Sequence, residues 1–511
     1  MKSKKKTIVH VTSEVAPFYK RGGLGDVAGA LPVYLESPEY HNIVISLFYD
    51  GKMNHLEEAE EKNFTITFHG VPYRFSTFSV RRQHILYYFI RLSDSSVLSD
   101  LENNDGFKPY AAPSAIVPFF YFARAALEVI LQHNHQPDFL FCHDWQTGGV
   151  FAFPDILEGL HRQNPFTRVF MIHNYDFQGP LYQDICRYLE PQNNREIMAI
   201  LQRFGHATML ALALKNCDYA AAVSHTYARE LMARDAPHLG LDYLSLLKHN
   251  VHSFLNGSDT TLWQPRDNQF LSLNYDENSL HKKQELKLEF LSRHSTNGDR
   301  RPDQPLVLML CRLTTQKGIG LFADYFEHEQ GIVEHMRKFL DTGIRFVIHG
   351  NPAGGMNSVV HQRLSKLAKT FGPNFIYLPG YSEESAHQLL AAADILLAPS
   401  LFEPCGLIQI YAMAFGTVPV VRPVGGMKDT VDCYKKDPDN ATGFHIPEFT
   451  RESLIQTIDD AAEVFRQHPQ QWQQMMKRGM ARDFSWNRMK QQYFNFFRAV
   501  EHGQPVVPTI L

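Results

Sequence analysis

No stretch of this 511-residue sequence approaches the roughly eighteen uninterrupted apolar residues of a membrane helix, so no membrane partner is expected. Positive charge is not in excess: 50 Lys and Arg stand against 54 Asp and Glu, a formal charge of −4, which argues against a nucleic-acid binder. Cysteine is scarce. The six present (Cys142, Cys186, Cys217, Cys311, Cys405, Cys433) are widely scattered without paired metal spacing, so neither zinc nor disulfides are expected. No metal or other cofactor is called for. Low-complexity tracts, short-period repeats, a Walker loop and a GxGxxG turn are all missing. The lysine-rich start leads into Thr7-Ile8-Val9-His10-Val11, where His10 and Thr12 interrupt an apolar run already too short for export. A cytoplasmic enzyme is expected.

What is present is an alternation of strand-like and helix-like runs. Ile8–Val11, Ile43–Leu47, Ile85–Ile90, Phe139–Cys142, Val169–Ile172 and Tyr219–Val223 form one series. After Pro305 a second begins, with Leu306–Cys311, Ile344–Ile348, Phe375–Leu378, Ile395–Ala398 and Val418–Val421. The polar stretch from Trp263 to Arg301, with a charged helix-like piece near Leu280–Leu291 and the turn-rich 295–299, separates them. The expectation is an α/β protein of two Rossmann-like, doubly wound domains, 1–265 and 266–485, facing each other across a deep cleft. The last segment, 486–511, carries Trp486, Met489, Tyr493, Phe497 and Val500 at helical spacing, an amphipathic helix that packs on its own domain or straps back to the first.

Candidate chemistry falls at the carboxyl ends of these strands, where open α/β sheets bind ligands. Ile395–Ala398 ends at Pro399, and the loop from Ser400 to Gly406 holds Glu403, an acid able to hold a sugar hydroxyl, beside Cys405-Gly406-Leu407-Ile408, whose helix-opening amides suit an anion. Arg422–Met427, with Gly425-Gly426, follows the next strand. Arg312 and Lys317-Gly318 follow the first strand of the second series, two cations suited to a departing diphosphate. Near the start, Lys20-Arg21-Gly22-Gly23-Leu24-Gly25-Asp26 opens a helix with two consecutive glycines and a point charge. His143-Asp144-Trp145 and His173-Asn174 each follow a strand, which lifts these histidines above the other members of a set of 25. Read singly, Glu403 is an ordinary helix-start acid and Asn256-Gly257-Ser258-Asp259 a turn.

Together, Lys20–Val27, His143-Asp144-Trp145, Asn256–Asp259, Arg312-Leu313 with Gln316-Lys317-Gly318, Gly380-Tyr381, Phe402–Leu407 and Gly425-Gly426 resemble bacterial glycogen synthases and plant starch synthases, in order and over nearly the whole chain. The resemblance implies the GT-B arrangement, with glucose passing from a nucleotide diphosphate sugar, expected to be ADP-glucose, to the 4-hydroxyl at the non-reducing end of glycogen or another α-1,4-glucan, with retention. It implies Lys20, Arg312 and Lys317 on the diphosphate, Gly22 and Gly23 as nearby amide donors, and Tyr381 beside the nucleobase. Glu403, with the Cys405 and Gly406 backbone, falls on glucose hydroxyls; Asp144, His173 and Asn256 fall on the donor sugar or reacting centre. It also implies a C-terminal helix returning to the first domain.

The chain departs from the family pattern at Tyr175-Asp176-Phe177 within His173–Gly179, at His349–Gly355, and at Ile408, which leaves only a backbone N–H. Tyr411 stands where many retaining GT-B enzymes carry a second Glu, as in the resembled family. No residue of these motifs is placed as a nucleophile, so the expected mechanism is attack on the same face that the diphosphate leaves, with Glu403 orienting the sugar. The alternatives are a glucosyltransferase using UDP-glucose or another acceptor, a phosphorylase, and a non-catalytic glucan-binding protein.

Overall fold

The computed structural model describes residues 4–53, 56, 58–68, 71–92, 116–181, 191–233, 242–294, 301, 303–324, 326–352 and 354–506. Cys186 and the turn-rich 295–299 lie outside the described residues; the described cysteines are free thiols. The chain forms two compact units, Met1–Gly257 with Trp486–Leu511, and Ser258–Ser485. The expected boundary near residue 265 therefore lies inside the second unit.

The first unit contains β1 (Lys6–Thr12), β2 (Tyr40–Leu47), β3 (Glu60–Phe68), β4 (Val71–Arg82), β5 (Ile85–Leu92), β6 (Phe139–His143), β7 (Thr167–Ile172), β8 (Pro180–Leu181), β9 (Ala207–Thr208), β10 (Tyr219–Ala222) and β11 (His252–Ser253). Nine of them form a sheet in the order β11-β10-β7-β6-β1-β2-β5-β4-β3, with β8 and β9 paired apart. From β11 to β5 every pairing is parallel, and these strands read as apolar runs because both faces are covered. The β3–β4–β5 edge is antiparallel and was not foreseen. Thr65 and Thr67 alternate there with Phe64, Ile66 and Phe68, a weaker signal than a buried run. The C-terminal helix Trp486–Glu501 belongs to this unit: Phe497 packs on Phe139 at 4.5 Å between ring centroids, and Tyr493 stacks on Phe254 at 4.0 Å.

The second unit has β12 (Leu306–Leu310), β13 (Arg345–Gly350), β14 (Phe375–Pro379), β15 (Ile395–Ala398), β16 (Val418–Val421) and β17 (Phe444–His445), all parallel, in the order β14-β13-β12-β15-β16-β17. Val307 and Met309 enter the core on one face of β12, and Leu306, Leu308 and Leu310 the core on the other. The stretch after Trp263 is not a linker. Its helix His281–His294 lies on this unit with two lysines buried, Lys283 donating to Leu390 O, Ala391 O and Thr417 Oγ1, and Lys287 pairing with Asp394 at 2.6 Å. Its polarity and charge read as a separator between the two series; hydrogen bonds to carbonyls at a helix end and a buried carboxylate let it be interior.

Candidate active site

Both sheets reverse their strand order beside the first strand of the unit, between β12 and β15 in one and β1 and β6 in the other. In open sheets such a reversal leaves a ligand crevice outside the carboxyl ends of the strands. Arg312, Lys317 and Glu403 lie at one of these places and Lys20 and Asp144 at the other, whereas Tyr381 follows the edge strand β14 and Asn256 the edge strand β11.

In the second unit Arg312 leaves β12 directly and is exposed, and Lys317 closes the 3-10 turn Thr315–Lys317. Glu403 sits on the loop leaving β15. Lys317 Nζ pairs with Glu403 Oε2, and Ser400 Oγ donates to the same oxygen at 3.0 Å. The two charged side chains keep 18% and 8% of their surface, so this is a mostly desolvated pair whose lysine still reaches the surface. A cavity of about 190 Å³ lies alongside, its wall including Arg312, Lys317, Ser400, Gly406, Leu407 and Ile408. Glu403 does not line it; its charge reaches the cavity wall through Lys317 and Ser400.

Two glycines make this loop possible. Gly425 has φ +45, and a Cβ there would lie 1.8 Å from Glu403 O; one on Gly426 would lie 2.0 Å from Cys405 O. The start of helix Gly425–Thr430 thus packs backbone to backbone on the acid loop. Gln409, passed over in the sequence as one amide within Ile408–Ala414, is fully buried and ties the same parts together, donating to Gly406 O at 2.7 Å and Thr430 Oγ1 at 3.1 Å. Cys405 is buried against this amide, accepting from it at 3.3 Å through its carbonyl. Tyr381 presents a half-exposed ring after β14, while Tyr411 is packing, stacked on Trp263 at 4.0 Å and 5°.

In the first unit Asp144 is the junction. It is buried with φ +64, a conformation costly for a non-glycine residue, and its Oδ1 accepts the backbone N–H groups of His173 at 3.0 Å and Asn174 at 3.1 Å. Burial pushes its carboxyl up to about 7, against the opposing pull of those two N–H groups. The loop after His173 is pressed onto Trp145: Gly179 has φ +62, and a Cβ there would meet the indole at 2.2 Å. His143 is fully buried, with Nδ1 3.0 Å from His173 Nε2 and Nε2 3.3 Å from His10 Nδ1. Burial lowers all three histidines, His10 to about 4, His173 to about 3 and His143 well below its ordinary value.

Lys20 is ion-paired with Asp26 at 2.9 Å and partly exposed. Gly22 caps helix Gly23–Leu35, and the N–H groups of Arg21 and Gly22 already face an anion, the buried Glu14 carboxylate, at 2.7 and 3.3 Å. Burial raises Glu14, against those same hydrogen bonds. Nothing in the local sequence of Glu14 marks it as the partner of the glycine turn. Asn256 is buried with its Oδ1 unpartnered among the described residues, and the adjoining Leu255 N–H donates to Gln492 of the C-terminal helix at 2.9 Å. Among the described residues no cluster of His, Cys, Asp or Glu could hold a metal ion, and no helix is long and apolar enough to cross a membrane.

Residues 7–246 match the family model described as starch synthase catalytic domain, and residues 293–476 that described as glycosyl transferases group 1. A glycogen synthase of Geobacillus thermodenitrificans (strain NG80-2) is 32% identical over 519 aligned positions, covering 97% of this chain and 99% of its own. One from Vibrio cholerae serotype O1 is 33% identical over 517 positions, covering 96% and 98%. The solved catalytic domain of Starch Synthase IV from Arabidopsis thaliana, bound to ADP and acarbose, matches with a TM-score of 0.82 at 25% identity over 98% of this chain and 100% of its own. Sucrose-phosphate synthase from Thermosynechococcus elongatus, at a TM-score of 0.60 and 15% identity over 98% and 100%, shares the fold.

Proposed function

Since the chain belongs to the glycogen and starch synthase family of GT-B glycosyltransferases, we propose that it moves glucose from ADP-glucose to the non-reducing end of an α-1,4-glucan, with retention. Glycosyl transfer of the glycogen synthase kind follows from the family. The donor and acceptor are our reading, supported by the ADP and acarbose held by the related starch synthase. The same reading has the enzyme in the cytoplasm.

The observation that carries the proposal is the Lys317–Glu403–Ser400 cluster beside the cavity that Arg312 also lines. Arg312 and Lys317 neutralise the diphosphate as it departs, a contribution that grows as the glycosidic phosphate bond breaks. The acceptor hydroxyl attacks the face the phosphate leaves and gives its proton to the leaving phosphate oxygen. Glu403, already committed to Lys317 and Ser400, fixes that lysine and orients sugar hydroxyls with the amides from Cys405 to Ile408; it does not form a covalent intermediate. Tyr381 offers its exposed ring to the nucleobase. In the first unit Lys20, Gly22 and Gly23 serve the phosphates, and Asp144, His173 and Asn256 the sugar at the reacting centre. Domain roles follow: acceptor glucan on the first unit, nucleotide sugar on the second.

Side-by-side kinetics with ADP-glucose and UDP-glucose on glycogen test the reading. The expected result is chain elongation with kcat/KM at least ~10-fold higher for ADP-glucose, the discrimination a base-contacting pocket readily supplies. A preference for UDP-glucose overturns the donor assignment, and failure to elongate glycogen with either donor overturns the acceptor.

A further inference from the structure

Four adjacent parallel strands of the first unit bring four polar groups, three of them fully buried, into a single file. Asn42 lies on β2, His10 on β1, His143 at the end of β6, and His173 just beyond β7, following the strand order of the sheet. Asn42 Oδ1 is 3.0 Å from His10 Nε2; His10 Nδ1 is 3.3 Å from His143 Nε2; His143 Nδ1 is 3.0 Å from His173 Nε2. Asn42, His10 and His143 are all fully buried. A buried neutral imidazole offers one donor and one acceptor, so once one end of such a file is fixed, every ring follows.

The far end is fixed by Glu36. Its Oε2 accepts the Asn42 backbone N–H at 2.9 Å and faces Asn42 Nδ2 at 3.4 Å, and its Oε1 accepts from Lys5 at 3.0 Å. Against the upward push of burial, the Lys5 and Asn42 contacts, with His41 nearby, hold the Glu36 carboxyl below its ordinary range, so it is ionised and can only accept. Asn42 must turn its NH₂ toward Glu36 and its oxygen toward His10. His10 Nε2 then carries the proton and Nδ1 accepts from His143 Nε2–H, leaving His143 Nδ1 to accept from His173 Nε2–H. The opposite polarity sets two acceptors face to face, either at Asn42 and His10 or, with the amide turned over, at Asn42 and Glu36. Either clash strands a buried acceptor.

We infer that Asn42 and His10, acting through His143, are positioning residues that hold His173 as the neutral tautomer with its proton on Nε2 and a lone pair on Nδ1. His173 thereby meets substrate as a hydrogen-bond acceptor, to which a sugar hydroxyl can donate. The positioning role rests on the proposed placement of His173 at the reacting sugar.

The test has two arms, both on the full chain. In [15N]histidine-labelled protein the His173 ring, identified by its loss in His173→Gln, is expected to show a protonated Nε2 and a bare Nδ1. A protonated Nδ1, or an imidazolium, overturns the inference whether or not any further variant folds. In the second arm Asn42→Leu removes the terminal acceptor, whereas Asn42→Asp keeps one, its outer oxygen taking up a proton to face Glu36 where the amide N–H now stands. Asn42→Leu is expected to mix the His173 tautomers and lower kcat roughly 10-fold, the scale of losses when the outer partner of a positioned histidine is removed, with donor KM little changed. Asn42→Asp is expected to restore the Nε2–H form and most of the lost kcat. Equal losses in the two variants, or an unchanged tautomer in Asn42→Leu, overturn it. An undiminished kcat in His173→Gln overturns the functional reading and with it the positioning role, and the tautomer spectrum tells that failure from failure of the file itself.

Discussion

The strand ends of the two units solve the same problem, holding polar groups out of water, by opposite electrostatics. In the second unit charge is met by charge: Lys317 on Glu403, and behind the sheet Lys287 on Asp394. In the first, burial drives groups toward neutrality: His10, His143 and His173 are pushed down, Asp144 and Glu14 pushed up, and backbone N–H groups or other rings serve as partners. Such a division suits a transfer reaction. A departing diphosphate needs standing positive charge, whereas hydroxyls of a neutral sugar are best aligned by dipoles that cost little to desolvate.

The largest effect should come from removing standing charge. Arg312 is exposed, and its side chain makes no hydrogen bond among the described residues, so Arg312→Ala is expected to lower kcat about 100-fold, or ~3 kcal/mol of transition-state stabilisation, with Tm unchanged. Steady-state kinetics and a thermal melt on the same preparation check it. Near-normal turnover would remove the second unit's half of the contrast.

The next effect is a pH slope carried by Asp144. Its folded value near 7 lies above the ordinary 3.8, so between these values the folded chain holds a proton the unfolded chain has lost. That contribution to stability is fully present below the lower value and disappears as pH rises through the upper one. The three histidines work the other way, because burial lowers them and stability is regained as pH climbs from about 4 toward 6.5. Asp144→Asn keeps an oxygen for the His173 and Asn174 amides but has no proton to lose. Its Tm relative to the parent chain should therefore rise by several degrees from pH 4 to pH 7, the histidine terms cancelling in the difference. A flat difference would mean that the folded chain does not hold the Asp144 proton.

Much of this was legible in the sequence, for a physical reason: parallel strands covered on both faces are apolar runs, and the loops at their ends carry the charged and glycine-rich motifs. Arg312, Lys317, Glu403, Asp144 and His173 are singled out as candidates that way. What escaped is polar groups inside apolar elements. His10 was read only as an interruption of an apolar run, yet its partners Asn42 and His143 are 32 and 133 residues away, so only the sheet brings them together. Gln409, Gln492 and the lysines of His281–His294 escaped likewise, each judged by its own polarity and not by the carbonyls and amides that the fold delivers to it.

The smallest expected effect separates two kinds of glycine. At Gly425 a side chain would collide with the Glu403 carbonyl, so that glycine is demanded by the fold; at Gly22 the backbone is extended, φ −162, and an added Cβ meets nothing within 4 Å. Packing thus gives no reason for Gly22, and the open space beside it is what a ligand approaching the helix start would use. Gly22→Ala keeps the N–H that faces Glu14 and should cost no more than ~0.5 kcal/mol, the weaker capping of Ala relative to Gly, a shift of a degree or two in Tm. Donor KM should nevertheless rise severalfold as the methyl occupies that space. If Tm falls sharply while KM holds, Gly22 is structural after all, and the phosphate-facing role of the first unit rests on Lys20 and Gly23 alone.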